Sequence, residues 1–369
     1  MTALPPVVDD FSSFIIAGRV KSRPSPDSET AARTPAQGVQ DGIDAEGLGC
    51  RRIFLSERWN MKEASVILSA IGARTSRVEL GTGLITPASR HPMHTAAFGA
   101  TMHALHGPRF VLGLGRGDNG VLQGTGLRAY GFQAFTDYVD ILRKLWRGER
   151  VTYDGPAGRF AGIALGDLPE GPPPKVWFGT FGLPLAAKAA AKAFDGVLLI
   201  PNMTPQATAE SVQRLRNACE EIGRDPKSLH VAQCVITAPE LSEVETRQLA
   251  HARAVTYLQA PGYGDALVKL NHWDPAAHRR LLEHRQFKEG GHIADALFHR
   301  AELMEPAKLV PDEWMTESCA LGSVDQCVKQ LQRFRDAGAD EVVTYGSTPM
   351  QNAKLIRAWA TRKSPRSHP

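Results

Sequence analysis

The stretch FVLGLGRGDNG, Phe110 to Gly120, runs from an apolar strand pattern straight into alternating glycines. A strand followed by Gly-x-Gly opens a dinucleotide-binding turn, whose third glycine, three residues on, lets a helix pack closely on the strand. Here that position is Asp118, and no acid-tipped strand follows at the distance such a turn needs. What remains is close approach, because glycines at a strand end let a flat, bulky cofactor come near the backbone. LGTGLITP (Leu80 to Pro87) and FGTFG (Phe178 to Gly182) repeat the pattern at two other strand ends. Three such ends around one pocket make a cofactor floor, although each taken singly also serves as a tight turn.

A second group, HPMHTAAFGATMHALH, carries four histidines. At about 100° per helical residue, His94 and His103 point to opposite sides, so the four do not converge and no metal site is expected. His91, beside Arg90 in a loop, is the one expected to face a pocket. The five cysteines have wide spacings and no C-x-x-C pair, the pattern of reduced thiols in a cytoplasmic protein. The 43 Lys and Arg against 39 Asp and Glu are scattered without a basic block, so nucleic acid is not an expected partner. No apolar stretch reaches membrane-spanning length, and the N-terminus lacks a signal-peptide pattern.

Positioning these groups falls to a repeated alternation of short Val/Ile/Phe-rich runs with segments of helical period. Eight strands are expected: Ser13 to Ala17, Arg52 to Ser56, Val78 to Gly83, Phe110 to Gly115, Lys175 to Thr180, Gly196 to Pro201, Leu229 to Ala238 and Glu341 to Gly346. Eight strands each followed by a helix is the count of a (β/α)8 TIM barrel, whereas a doubly wound sheet usually has six. The expected organisation is one domain over residues 13–361, flanked by an extended or disordered tail at 1–12 and a second tail at 362–369. An irregular Gly/Pro-rich excursion is expected at 151–174 and a helical insertion at 240–315. Insertions at strand ends build the wall over a barrel's active site.

The residues Leu80 to Gly117, LGTGLITPASRHPMHTAAFGATMHALHGPRFVLGLGRG, closely resemble the strand-to-strand signature of the bacterial-luciferase-like oxidoreductases. The resemblance continues through Leu142 to Gly155, Pro172 to Gly182, Ala191 to Leu199 and Ser323 to Val343. It implies a TIM barrel that binds either the deazaflavin coenzyme F420, favoured by overall likeness, or flavin mononucleotide (FMN). It also implies a cis peptide at Gly83-Leu84 under the ring, with Thr86 nearby, and Gly115, Asp118 and Asn119 at the ring's side. By the same resemblance the phosphate end rests on Gly179, Thr180, Phe181 and Gly182, at a helix N-terminus whose N–H groups suit an anion.

One departure stands out. Many relatives carry an acid followed by histidine after the second strand, and here that stretch is Ser56 to Asn60, SERWN. Glu57 keeps the acid as a cofactor contact and catalytic candidate, but Arg58 replaces the histidine and does not release its proton at neutral pH. Arg58 either binds an anionic group or pairs with Glu57; Trp59 either stacks on a ring or packs in the core. Proton transfer then falls to His272, His278, His284, His292 or His299, or to Tyr263 or Tyr130. The expected activity is hydride transfer between bound F420 and a small organic substrate. The alternatives are an FMN-dependent monooxygenase using oxygen and a separate flavin reductase, and a barrel that binds a cofactor without catalysis. A homodimer is common among such relatives.

Overall fold

Successive short, largely apolar strands, buried on both faces, form a parallel sheet covered by helices, and closing that sheet removes its edges. The computed structural model does this, and it describes residues 4–16, 34–57, 62–117, 119–168, 171–287, 294 and 298–362. The barrel strands are β1 (Phe11–Ile15), β2 (Arg52–Leu55), β3 (Glu79–Thr82), β4 (Phe110–Leu114), β7 (Lys175–Thr180), β8 (Gly196–Leu199), β9 (His230–Pro239) and β11 (Glu341–Tyr345). Each pairs in parallel with the next, and β11 pairs with both β9 and β1, closing the ring. All eight coincide with the strands expected from the sequence, to within a residue or two at each end. The short β10 (Ala320–Gly322) runs beside the far end of β9.

Helices cover the outside by ordinary means. Thr34 and Gln37 form a capping box before the helix Pro35–Gly47, and Ser323 and Gln326 do the same before Val324–Asp336. The helix Phe132–Trp146 turns Phe135, Tyr138, Val139, Leu142 and Leu145 onto the barrel at three- and four-residue spacing. Among the described residues, no helix is long and apolar enough to cross a membrane.

The barrel interior is layered. Arg52 on β2 and Glu341 on β11 are separated by β1, so their 2.9 Å ion pair crosses the interior. The Arg52 guanidinium also lies 4.4 Å from the Trp177 ring of β7, and His230 of β9 reaches Glu341 at 2.9 Å. Burial alone would raise the Glu341 carboxyl, but Arg52 and His230 outweigh it and hold it below the usual range. These residues close the N-terminal end. Because side chains alternate along a strand, counting upward by twos gives the inward residues of the open end: Phe54 on β2, Phe14 on β1, Tyr345 on β11, and glycines on β3, β4 and β7.

Two expectations need correction. The segment 151–174 is not irregular throughout, because Val151–Gly155 (β5) and Gly158–Ile163 (β6) form an antiparallel hairpin turned at Ala157. The Gly and Pro residues there serve the turn and the exit rather than the whole span. The N-terminal tail is ordered earlier than residue 13: Val8 bridges to Cys50, and β1 begins at Phe11. The insertion at 240–315 carries the helices Glu243–Leu249, His251–Leu258, Tyr263–Leu270 and Pro275–Leu282 over the open end.

Candidate active site

The glycines at the strand ends hold a leucine. A Cβ on Gly179 would overlap Leu84 Cδ1 and stand 2.8 Å from its Cγ and Cδ2; one on Gly115 would stand 2.8 Å from Cδ1, and one on Gly113 would meet Cδ2 at 3.1 Å. Leu84 therefore wedges into a notch left by β4 and β7, and the expected glycine floor is a leucine resting on glycines. The Gly83-Leu84 peptide is cis, as the resemblance implies. The turn is pinned from both sides: Gly83 N–H donates to Leu55 O (2.8 Å), Glu57 N–H to Leu84 O (3.2 Å), and Gly115 N–H to Ile85 O (2.9 Å). Thr86 caps the short turn Pro87–Ser89 through its hydroxyl. Gly117 has φ of +79°, and there the added Cβ would press on Leu122 and Thr86.

Glu57 lies beside this turn with only 5 % of its side chain exposed. Its carboxylate is taken by Arg90, from the loop after β3, which also reaches Glu63, and it accepts the Ala64 N–H at 3.4 Å. Burial would lower the Arg90 guanidinium, but Glu57 and Glu63 raise it, which keeps the cation firmly protonated. Burial would likewise raise Glu63, and Ser65, the Val66 N–H and Arg90 bring it below the usual carboxylate range. Arg58, Trp59 and Asp118 lie outside the described residues, and Asn119 opens the short helix Asn119–Gly124.

His91 is engaged in local structure. Its Nδ1 accepts from the Met93 N–H at 3.2 Å, capping the helix Pro92–His106, and its ring meets Phe160 of the hairpin edge-on at 5.1 Å. Burial and then His94 push its pKa down, so the neutral, capping form is favoured. Among the other proton-transfer candidates, His278 meets the Leu258 carbonyl (2.7 Å), His272 meets Glu210 (3.2 Å), and Tyr130 donates to Ala157 O (3.1 Å). His284 and His299 accept from nearby backbone N–H groups, and His292 lies outside the described residues. Tyr263 is brought to the glycine-rich end of β7, its ring 5.3 Å from Phe181.

At that end the Thr180 hydroxyl accepts the Gly182 N–H (3.2 Å), and Gly182 has φ of +70°. Sequence reasoning missed Arg214, which donates to Gly182 O (3.0 Å) and Ser211 Oγ (2.8 Å). It stands on Pro205–Glu221, the second helix after the Gly179–Gly182 segment and some thirty residues along the chain from it, so only the fold brings its charge there. A guanidinium beside a helix start suits a bound anion.

The far side of the mouth was also missed. Tyr345 ends β11, and its hydroxyl accepts from Arg253 and from the Tyr257 hydroxyl (3.0 Å). Asn202, in the loop after β8, is buried, yet its Oδ1 and Nδ2 have no hydrogen-bond partner among the described residues. Its backbone has φ of +66°, and its carbonyl is held by Asn271 (2.7 Å). A buried orphan amide costs about 1–3 kcal/mol and is the signature of a site completed by a ligand or water. The tyrosine at a strand end was a legible signal; the arginine sat in a stretch without a motif.

The family profile described as luciferase-like monooxygenase matches residues 16–341. Among curated proteins, the chain is similar to a 5,10-methylenetetrahydromethanopterin reductase of Methanolobus tindarius, 25 % identical over 318 residues, 85 % of this chain and 91 % of that one. It is also similar to an F420-dependent glucose-6-phosphate dehydrogenase of Nocardia farcinica, 29 % identical over 291 residues, 75 % of each chain. Among solved structures, the coenzyme F420-dependent tetrahydromethanopterin reductase from Methanopyrus kandleri matches with a TM-score of 0.76 at 19 % identity, covering 97 % of this chain and 98 % of that one. That last likeness is one of fold.

Proposed function

We propose, because the chain belongs to the luciferase-like monooxygenase family, that it is an oxidoreductase moving a hydride between bound coenzyme F420 and a small organic substrate. The observation that carries this reading is the shelf at the barrel mouth, where Leu84 rests on Gly113, Gly115 and Gly179 and presents an apolar surface suited to a flat ring. The named activities of the two relatives, a reductase and an F420-dependent dehydrogenase, support the same choice.

The residues present fit such a cofactor. Leu84 would support the ring, Glu57 held by Arg90 would border it, and Gly179 to Gly182 with Arg214 would take the phosphate. The orphaned Asn202 amide offers its NH2 as donor and its oxygen as acceptor to whatever enters the mouth. When bound, the deazaflavin supplies a two-electron hydride centre. The protein's contribution is to orient the ring, exclude water and manage the accompanying proton. A second reading, FMN with oxygen as cosubstrate and a reductase partner, draws on the family's own description as monooxygenases.

Equilibrium titrations with F420 and with FMN, followed by fluorescence, separate the two. Binding of F420 at least tenfold tighter than FMN is the expected result. Tighter FMN binding moves the function to the monooxygenase reading, and absence of binding by either overturns the cofactor assignment.

A further inference from the structure

A ring that accepts a hydride takes up two electrons and one proton, so it gains one unit of negative charge. Charges fixed beside it in a site that excludes water therefore decide how readily it is reduced. The acid beside the Leu84 turn is Glu57, whose N–H donates to Leu84 O at 3.2 Å. A bare buried carboxylate in that place would oppose reduction.

Glu57 is not bare. Arg90 donates from Nε to Oε1 at 3.3 Å and from Nη2 to Oε2, and the Ala64 N–H, first in the helix Ala64–Gly72, reaches Oε2. A guanidinium and the positive end of a helix thus converge on one carboxylate. Arg90 also holds Glu63, but that side chain is 43 % exposed against 5 % for Glu57, so solvent screens it, and the Ser65 hydroxyl and Val66 N–H share its charge. The buried pair beside the turn is accordingly Glu57 with Arg90, and its net charge is zero. Arg90 is also fixed from behind. The hydroxyl of the buried Tyr138, on Phe132–Trp146, donates to Arg90 O at 3.1 Å and accepts from the Thr95 hydroxyl at 2.6 Å. The guanidinium lies 5.7 Å from the centroid of the Phe98 ring.

We propose that Arg90 is a positioning residue that sets the reduction potential of the bound ring: by cancelling the charge of Glu57 it favours the reduced form over the oxidised one. This rests on the cofactor reading of the Leu84 shelf and holds for F420 and FMN alike, because both rings gain negative charge on taking a hydride. Arg90 touches neither the shelf leucine nor its glycines in this scheme; it acts through Glu57. The two residues therefore pull the ring's potential in opposite directions, Glu57 downward and Arg90 upward.

Linkage ties the ratio of the dissociation constants of the oxidised and reduced ring to the midpoint potential of the bound ring, at about 30 mV per tenfold for a two-electron couple. The F420-loaded parent, Arg90→Met, Arg90→Lys, Glu57→Gln and the double variant Arg90→Met/Glu57→Gln are equilibrated with reference dyes without oxygen. In Arg90→Met the reduced ring is expected to lose about tenfold more affinity than the oxidised ring, a fall of about 30 mV. Glu57→Gln leaves the cation in place and is expected to shift the ratio the other way, by roughly threefold or more. Arg90→Lys and the double variant, in which the pair is again neutral, are expected to stay within roughly threefold of the parent. A residue that only shapes the turn would weaken both forms alike, so an unmoved ratio overturns the proposal, as do shifts of the same sign in Arg90→Met and Glu57→Gln. Where Arg90→Met does not fold, the rise in Glu57→Gln and its cancellation in the double variant decide alone. If the parent binds FMN and not F420, the F420 reading fails and the same ratio is read on FMN; if it binds neither, the cofactor reading and this proposal fall together.

Discussion

Gly179→Ala should change sign with the residue at position 84. The added methyl overlaps Leu84 Cδ1 and stands 2.8 Å from Cγ and Cδ2, against the roughly 3.5–4.0 Å at which carbon atoms pack. The leucine tip has little room to retreat, because Gly115 and Gly113 hold its other side at comparable range. Overpacking of this kind costs about 1–3 kcal/mol. Leu84→Ala deletes all three of the atoms involved and leaves a hole. Because Leu84 is half-buried, the cost falls toward the lower end of the roughly 2–5 kcal/mol found for buried leucines. In that background the Gly179→Ala methyl fills space instead of colliding, so it should be neutral or stabilising, with a coupling of about 1–2 kcal/mol. Urea unfolding followed by circular dichroism, with the slope checked for constancy, reads all four proteins. Gly113→Ala is the control. Its methyl overlaps the Thr82 carbonyl oxygen, which Leu84→Ala does not remove, so its cost should persist in both backgrounds. Equal cost of Gly179→Ala with and without the leucine side chain would refute the wedge.

Three further outcomes follow from the packing. The Glu46 carboxylate accepts from the N–H groups of Ser76, Arg77 and Val78 at 2.7–3.0 Å. Burial would raise it, yet those donors and Arg109 hold its pKa below the usual 4.5. A depressed folded pKa means the stabilisation is present above the unfolded value and lost as pH falls through the folded one. Glu46→Gln should therefore be less stable at pH 7, with a gap to the parent that narrows below about pH 4 in urea midpoints; a gap independent of pH would contradict this. Arg90→Met leaves the buried Glu57 carboxylate without its ion pair, while Glu63 keeps Ser65 and the Val66 N–H; the variant should cost about 3 kcal/mol, much of it recovered by adding Glu57→Gln, as the same unfolding assay would read. All five cysteines are buried; burial raises each thiol, Cys50, Cys319 and Cys327 to about 12. A thiol reagent at pH 7.5 should label none of the five in the native protein and all five in guanidinium, and one fast native thiol would show a misplaced element.

The sequence by itself determined the local alternation, and through it the barrel. Runs such as RIFL and GVLL are too short and too apolar to be anything but buried strands, and eight of them separated by capped helices leave little but a closed parallel ring. It also marked the strand ends of β3, β4 and β7 as places where side chains must be absent. What fills those places only the tertiary structure decided. Leu84 meets Gly179 across ninety-five residues of chain, Arg90 from the loop after β3 takes the Glu57 carboxylate, and Arg253 reaches Tyr345 from the insertion after β9. Periodicity reports which face of an element is buried, because that is a local property of backbone geometry. The identity of the partner on that face depends on register and closure of the whole ring, which no single stretch of the chain encodes.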